Sequence, residues 1–202
     1  MRCHYCQNHS ISMKEITEHI YLSPEKLVQT AEEMKKNGNI GIAFTYNEPL
    51  ISYEYILDTG VLAKKRDLEI VLVTNGIINE RPLRNLLRYV DAVNIDLKSF
   101  NHDYYRKLGG NLETVKETIK LAHQYCHVEI ASLIVPGEND DVIDMDEMSL
   151  WLANIDKNIP LHINRFFPCY KAICMEPTDI ETLILLKETA SRHLKYVYLG
   201  NC

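Results

Sequence analysis

Two cysteines stand in C-x-x-C spacing at the start of the chain, Cys3 and Cys6 in MRCHYCQNHS. Thiolates at that spacing grip one metal centre or face each other as a redox pair. Cys169 and Cys174 lie far downstream in C-x4-C spacing, a poor match to a zinc ribbon. Cys126 borders an apolar run and reads as a buried thiol. Six cysteines in a chain without a basic-then-apolar leader read as reduced thiols and metal ligands, not as a disulfide frame.

A second set of chemistry-bearing residues follows the apolar runs. GIAFT (41–45) leads into Tyr46-Asn47-Glu48-Pro49, and IVLVT (70–74) ends in Thr74-Asn75-Gly76. AVNID (92–96) ends in Asp96-Leu97-Lys98, and HVEIASLIV (127–135) ends in Pro136-Gly137-Glu138-Asn139. LHINRF (161–166) carries His162, Asn164 and Arg165. Taken singly, each is an ordinary turn or helix cap. Taken together they mark a site, because the carboxyl ends of parallel strands meet around one pocket. Asp96 and Lys98, two apart, share one strand face, and strand parity points Glu129 and His162 into the interior.

The elements that must position these residues are legible in the same runs. Most are β-branched and nearly continuous in hydrophobicity, as strands buried on both faces are, and YVYL (196–199) is a weaker sixth. Helical stretches separate them. Ser23-Pro24 gives an N-cap with proline at the first helical position. Asp144 to Glu147 and Thr178 to Glu181 have capping-box spacing. Leu112, Val115, Ile119 and Ala122 fall on one helical face. Val61, Leu62 and Leu68 read as core, and Lys64-Lys65-Arg66 as a solvated helix end. Strand, helix and strand repeated in this way predict parallel strands with right-handed crossovers, either a (β/α) barrel or an open doubly wound sheet.

Composition bounds the function. The chain has 202 residues, 46% hydrophobic and 25% charged, with a net charge of −6. That suits one globular domain over residues 1–202. With no basic block, nucleic acid and anionic membranes find no electrostatic partner, and no apolar run reaches membrane-spanning length. A cytoplasmic protein is expected. No glycine-rich phosphate loop follows any run, which argues against a flavin- or phosphate-binding barrel.

CHYCQNHSIS, FTYNEP, VLVTNG, NIDLKSFN, IVPGEND and HINRFFP, in this order, resemble the radical S-adenosylmethionine (SAM) superfamily. The branch they resemble is that of the AmmeMemoRadiSam-system and pyruvate formate-lyase activating enzymes. The resemblance implies a partial (β/α)6 TIM-like barrel of the radical SAM type. It also implies a [4Fe-4S] cluster, with Cys3 and Cys6 as the second and third ligands of a C-x-x-x-C-x-x-C motif and Tyr5 at its aromatic position. SAM would chelate the remaining iron, and one-electron reduction would release a 5′-deoxyadenosyl radical that acts on a protein or small-molecule substrate. A flavodoxin- or ferredoxin-type electron donor is implied as partner.

Position by position, Tyr46-Asn47-Glu48-Pro49 stands where the family often has Gly-Gly-Glu-Pro, so Asn47 and Glu48 fall beside SAM's amino group. Thr74 and Asn75 match a strand-end pair near SAM, Asp96 and Lys98 match the D-L-K element, and Val135 opens the turn near the adenosine. Val73 replaces an acidic residue of the activating enzymes, and Ala131 replaces an arginine, which weighs against glycyl-radical activation. The motif's first cysteine and the barrel's first strand would fall upstream of Met1, so an N-terminally truncated chain is expected, with a further C-terminal piece. A non-catalytic metal-binding or interaction barrel that has lost the cluster is the alternative.

Overall fold

The computed structural model describes residues 1–13 and 19–202. All six apolar runs are strands: β1 (Gly41–Phe44), β2 (Glu69–Thr74), β3 (Ala92–Asp96), β4 (His127–Ile134), β5 (Leu161–Arg165) and β6 (Val197–Gly200). Every adjacent pair is parallel, in the order β1-β2-β3-β4-β5-β6. A doubly wound sheet would reverse its strand order at a switch point. This sheet never does, which decides between the two architectures in favour of an α/β half-barrel whose edges, β1 and β6, stay unpaired with each other.

Among the described residues, eight α-helices connect or flank the strands: α1 (His9–Ser12), α2 (Pro24–Glu33), α3 (Tyr53–Lys64), α4 (Glu80–Leu86), α5 (His102–Lys107), α6 (Leu112–His123), α7 (Val142–Asp156) and α8 (Ile180–Ala190). In α6 the predicted face is the buried one, with Leu112, Val115, Ile119 and Ala122 all within 2% of full burial. Ser23 caps α2 by accepting from the Lys26 amide at 3.3 Å. Two predicted capping boxes are displaced. Asp141, not Asp144, caps α7, and Asp179, not Thr178, caps α8. An aspartate in each case lies nearer the first free amides. Asp144 instead accepts from the Ser99 hydroxyl at 2.8 Å. Thr178 donates to the Ile134 carbonyl at 2.6 Å and accepts from the Phe166 amide, tying the ends of β4 and β5 together.

Burial alternates strictly along the central strands. Ile70 and Leu72, Val93 and Ile95, Val128, Ile130 and Ile134, and Leu161 and Ile163 face the helices and are buried. The alternate residues, Val71, Val73, Asn94, Asp96, Glu129, Ala131, His162 and Asn164, are only half-buried. One face of the sheet thus carries the main core, and the concave face is open. At β1, Gly41 is required by close approach, since a Cβ there would sit 2.0 Å from the Glu69 carbonyl oxygen. A smaller apolar cluster of Tyr5, Tyr104, Leu108, Val135, Phe166 and Ala172 lies at the carboxyl rim. Among the described residues, no helix is long and apolar enough to cross a membrane.

Candidate cofactor site

Because all strands run the same way, the segments after β1 to β5 emerge at one rim, and residues 1–13 fold over it. Two neighbouring segments anchor the C-x-x-C loop. On one side the Arg2 amide donates to the Leu108 carbonyl at 2.8 Å, and the Tyr5 and Tyr104 hydroxyls meet at 2.8 Å. On the other, residues 169–171 close against it. The Lys171 amide donates to the His4 carbonyl at 3.0 Å, and the Cys169 thiol lies 3.7 Å from the Cys6 carbonyl oxygen. Tyr170 stacks on His9 at 4.8 Å. Tyr170 holds a φ of 55°, a left-handed value that costs a tyrosine free energy and is kept here by these contacts.

Glu48 joins the first two strand ends. Its Oε1 accepts from the Thr74 hydroxyl at 2.6 Å and the Leu50 amide at 3.1 Å, and its Oε2 accepts from the Asn75 amide at 2.8 Å. To reach them the chain turns through Tyr46 and Asn47, with φ of 57° and 52°. At the next strand end Lys98 Nζ donates to Asp96 Oδ2 at 2.9 Å. Burial opposes the Lys98 charge, but the carboxylate of Asp96, helped by Cys3, more than compensates and raises its pKa. The Lys98 amide donates to the Tyr105 hydroxyl, whose pKa burial pushes up to about 12. Asn139, 6% exposed, donates to the carbonyls of Lys98 and Leu133 and accepts from the Val135 amide, so one amide holds two strand ends in register.

These segments enclose a cavity of about 880 Å³, within the size range of small-molecule sites. Of the ten residues singled out in the sequence, eight line it: Cys3, Tyr5, Cys6, Asn47, Glu48, Asn75, Asp96 and Lys98. Thr74 and Val135 do not. Thr74 is 5% exposed and stands behind Glu48, while Val135 is fully buried in the small apolar cluster beneath Tyr5. Sequence reasoning missed Gln7, Asn8, Ser12, Ile77 and Asn201, which also line the cavity. Asn164, named in the sequence among the polar strand-end residues, lines it too.

The wall chemistry divides in two. Cys3 and Cys6 are soft donors suited to iron or another thiophilic metal. Burial raises the Cys3 pKa while the nearby Lys98 charge opposes the shift. A metal would draw such a thiol into the thiolate form. Opposite lie a carboxylate, an ion pair and amides, with Ile77 and Leu133 as apolar lining, a set suited to a ligand with amino-acid and nucleoside parts. Tyr5 is held as a neutral phenol by burial and by Tyr104.

The family model described as the radical SAM superfamily matches residues 1–148. An uncharacterized protein of Methanocaldococcus jannaschii is 40% identical over 99% of this chain, which spans 60% of that protein. The pyruvate formate-lyase 1-activating enzyme of Escherichia coli is 29% identical over 78% of this chain and 67% of its own length. The crystal structure of Streptococcus suis SuiB bound to S-adenosylmethionine shares the fold with a TM-score of 0.69 at 13% identity, covering 90% of this chain and 42% of that one.

Proposed function

We propose, for a chain that belongs to the radical SAM superfamily, that Cys3 and Cys6 hold a [4Fe-4S] cluster and that Glu48, Asn75, Asp96 and Lys98 hold SAM against it. The observation that carries this reading is that both thiols share one cavity with those four residues. Cys3 and Cys6 are two of the motif's three thiolates, and the chemistry of the set fits: thiolates suit iron, and the ionic and amide groups suit a sulfonium amino acid. When bound, cluster and SAM supply one-electron cleavage of the sulfonium to methionine and a carbon-centred radical.

The protein's own residues bind, orient and exclude water. Glu48 presents a carboxylate whose direction Thr74 and the Asn75 amide fix. Asp96 and Lys98 offer opposite charges at hydrogen-bonding distance from each other, so each can be redirected to a ligand group of opposite sign. Tyr5 and Val135 back the cysteine loop with apolar surface. A low-potential protein electron donor is the partner this chemistry needs. Two features bear on the substrate. The activating-enzyme relative supports action on a protein, whereas Ala131, where activating enzymes can place an arginine, weakens glycyl-radical activation as the particular role.

Anaerobic reconstitution of a chain carrying all three cysteines of the motif, followed by reduction with SAM present, tests the reading. About four iron and four sulfide per chain and release of 5′-deoxyadenosine are expected. Cys3→Ala and Cys6→Ala should each abolish both. Asp96→Ala and Lys98→Ala should each weaken SAM binding by about 1.5–3 kcal/mol, as for a hydrogen bond to a charged group. A protein that takes up no iron, or cleaves no SAM, would instead be a barrel that has lost the cluster.

A further inference from the structure

We propose that Glu129, His162 and Tyr198 on the concave face of the sheet form the anchor for a cationic nitrogen of the substrate, an alkylamine or guanidinium. This rests on the reading above for where the substrate reacts, but not for whether the cation binds. Closed barrels fill their interior with packed side chains. Here the six-stranded sheet leaves the inward row half-exposed, with polar groups where packing residues would otherwise stand. The register places Asp96, Ala131, His162 and Tyr198 side by side on β3, β4, β5 and β6. His162 is therefore two strand spacings, about 10 Å, from the cofactor cavity's Asp96. Only the methyl group of Ala131 stands between them in that row, leaving a gap that a lysine- or arginine-length chain spans.

The chemistry at the far end of the gap selects a cation. Glu129 Oε2 accepts from His162 Nε2 at 2.8 Å, and Oε1 accepts from His127 Nε2 at 3.1 Å. Burial raises the Glu129 pKa, but the hydrogen bonds from His127 and His162 outweigh it and hold the group below its ordinary value, hence ionised. Among the described residues, no lysine or arginine is paired with Glu129, whose partners are the two histidines. Tyr198 stacks on His162 at 5.4 Å and is 48% exposed, adding an aromatic face of the kind that attracts cations. If the trio were merely a structural ion pair on a sheet face, it would contribute little to stability and bind nothing.

The test uses n-butylammonium and n-butylguanidinium, with butyrate as control, titrated into the reconstituted protein with and without SAM and followed by the His162 Cε1–H resonance and saturation-transfer difference. Both cations should bind and butyrate should not. Glu129→Gln should weaken cation binding at least tenfold and His162→Gln severalfold, with SAM affinity and the cluster absorbance unchanged in both. A capped Gly-Lys-Gly peptide separates sources: tighter binding than butylammonium marks a peptide side chain, and equal binding a free amine. Absence of cation binding, equal binding of butyrate, or unchanged binding in Glu129→Gln would each overturn the proposal. Loss of SAM binding alone, with the cation still bound, would overturn the cofactor reading and leave the anchor standing.

Discussion

Tyr46 and Asn47 show how a single dihedral serves the site. Both adopt positive φ, where an L side chain costs about 1–2 kcal/mol, less for asparagine, whose side chain tolerates that region. Glycine is the residue that takes such a φ without cost, and here a tyrosine and an asparagine take it instead. What it gains is the return of Glu48 onto Thr74 and the Asn75 amide. Tyr46→Gly should therefore stabilise the fold by about 0.5–1 kcal/mol in urea unfolding, the relieved strain being partly offset by glycine's entropy in the unfolded chain. A loss of stability would mean that the Tyr46 ring, though 69% exposed, helps to hold the turn. Glu48→Gln acts in the opposite sense. Its amide NH2 must face one of the donors that now point at a carboxylate, so SAM affinity should fall about tenfold or more. Unchanged affinity by calorimetry would remove Glu48 from the site.

At the scale of elements, the cysteine loop depends on partners distant in the chain. Cys169 touches the Cys6 carbonyl and lies 3.8 Å from His9 Nδ1, while Lys171 bonds to His4. Cys169→Ala should lower the iron retained after desalting and leave the far-UV spectrum and melting temperature unchanged, because the small apolar cluster still holds Tyr5. Iron retention equal to wild type would mean that Tyr5 and Tyr104 suffice. This contact marks where the sequence stops being legible. The six strands could be read because each is a nearly continuous β-branched run, and the rim could be read because polar residues follow those runs. The meeting of residues 169–171 with residues 4–9 could not, since periodicity is silent about contacts between distant segments. The caps of α7 and α8 were misplaced for a local reason. Thr178 has the right spacing to Glu181, but its hydroxyl is engaged by Ile134 and Phe166, leaving Asp179 to cap. Thr74 and Val135 matched motifs by position while their side chains stand behind the cavity wall. No periodicity separates a residue that lines a cavity from one that supports its lining.

Across the whole molecule the two rims of the sheet differ: the proposed cofactor site lies at the carboxyl ends, and the amino ends carry contacts that serve stability, the division usual in barrels. At the amino rim Asp91 accepts from Lys64 and from the Ile70 amide, joining α3, β2 and the segment before β3. Burial raises the Asp91 pKa, but the Lys64 and Ile70 hydrogen bonds outweigh it, and the net shift is downward. A carboxylate whose folded pKa is depressed contributes fully above its unfolded value, about 3.9, and loses that contribution as pH falls through the folded pKa. Asp91→Asn should thus be less stable than wild type at pH 7, with the two curves converging toward pH 2. Parallel curves would show that the charge is not what matters there. Hydrogen exchange on adding SAM checks the division itself. Slowed exchange is expected in residues 2–12, 45–51, 74–78 and 96–99, which carry the cavity walls, with little change at the start of β2, β3 and β4, where the Lys64–Asp91 contact lies. The amino rim is already closed by strand pairing and helix packing, so SAM bound at the opposite rim has no amides there to cover. Protection concentrated at the amino rim would place SAM on the wrong side of the sheet for every contact assigned to it.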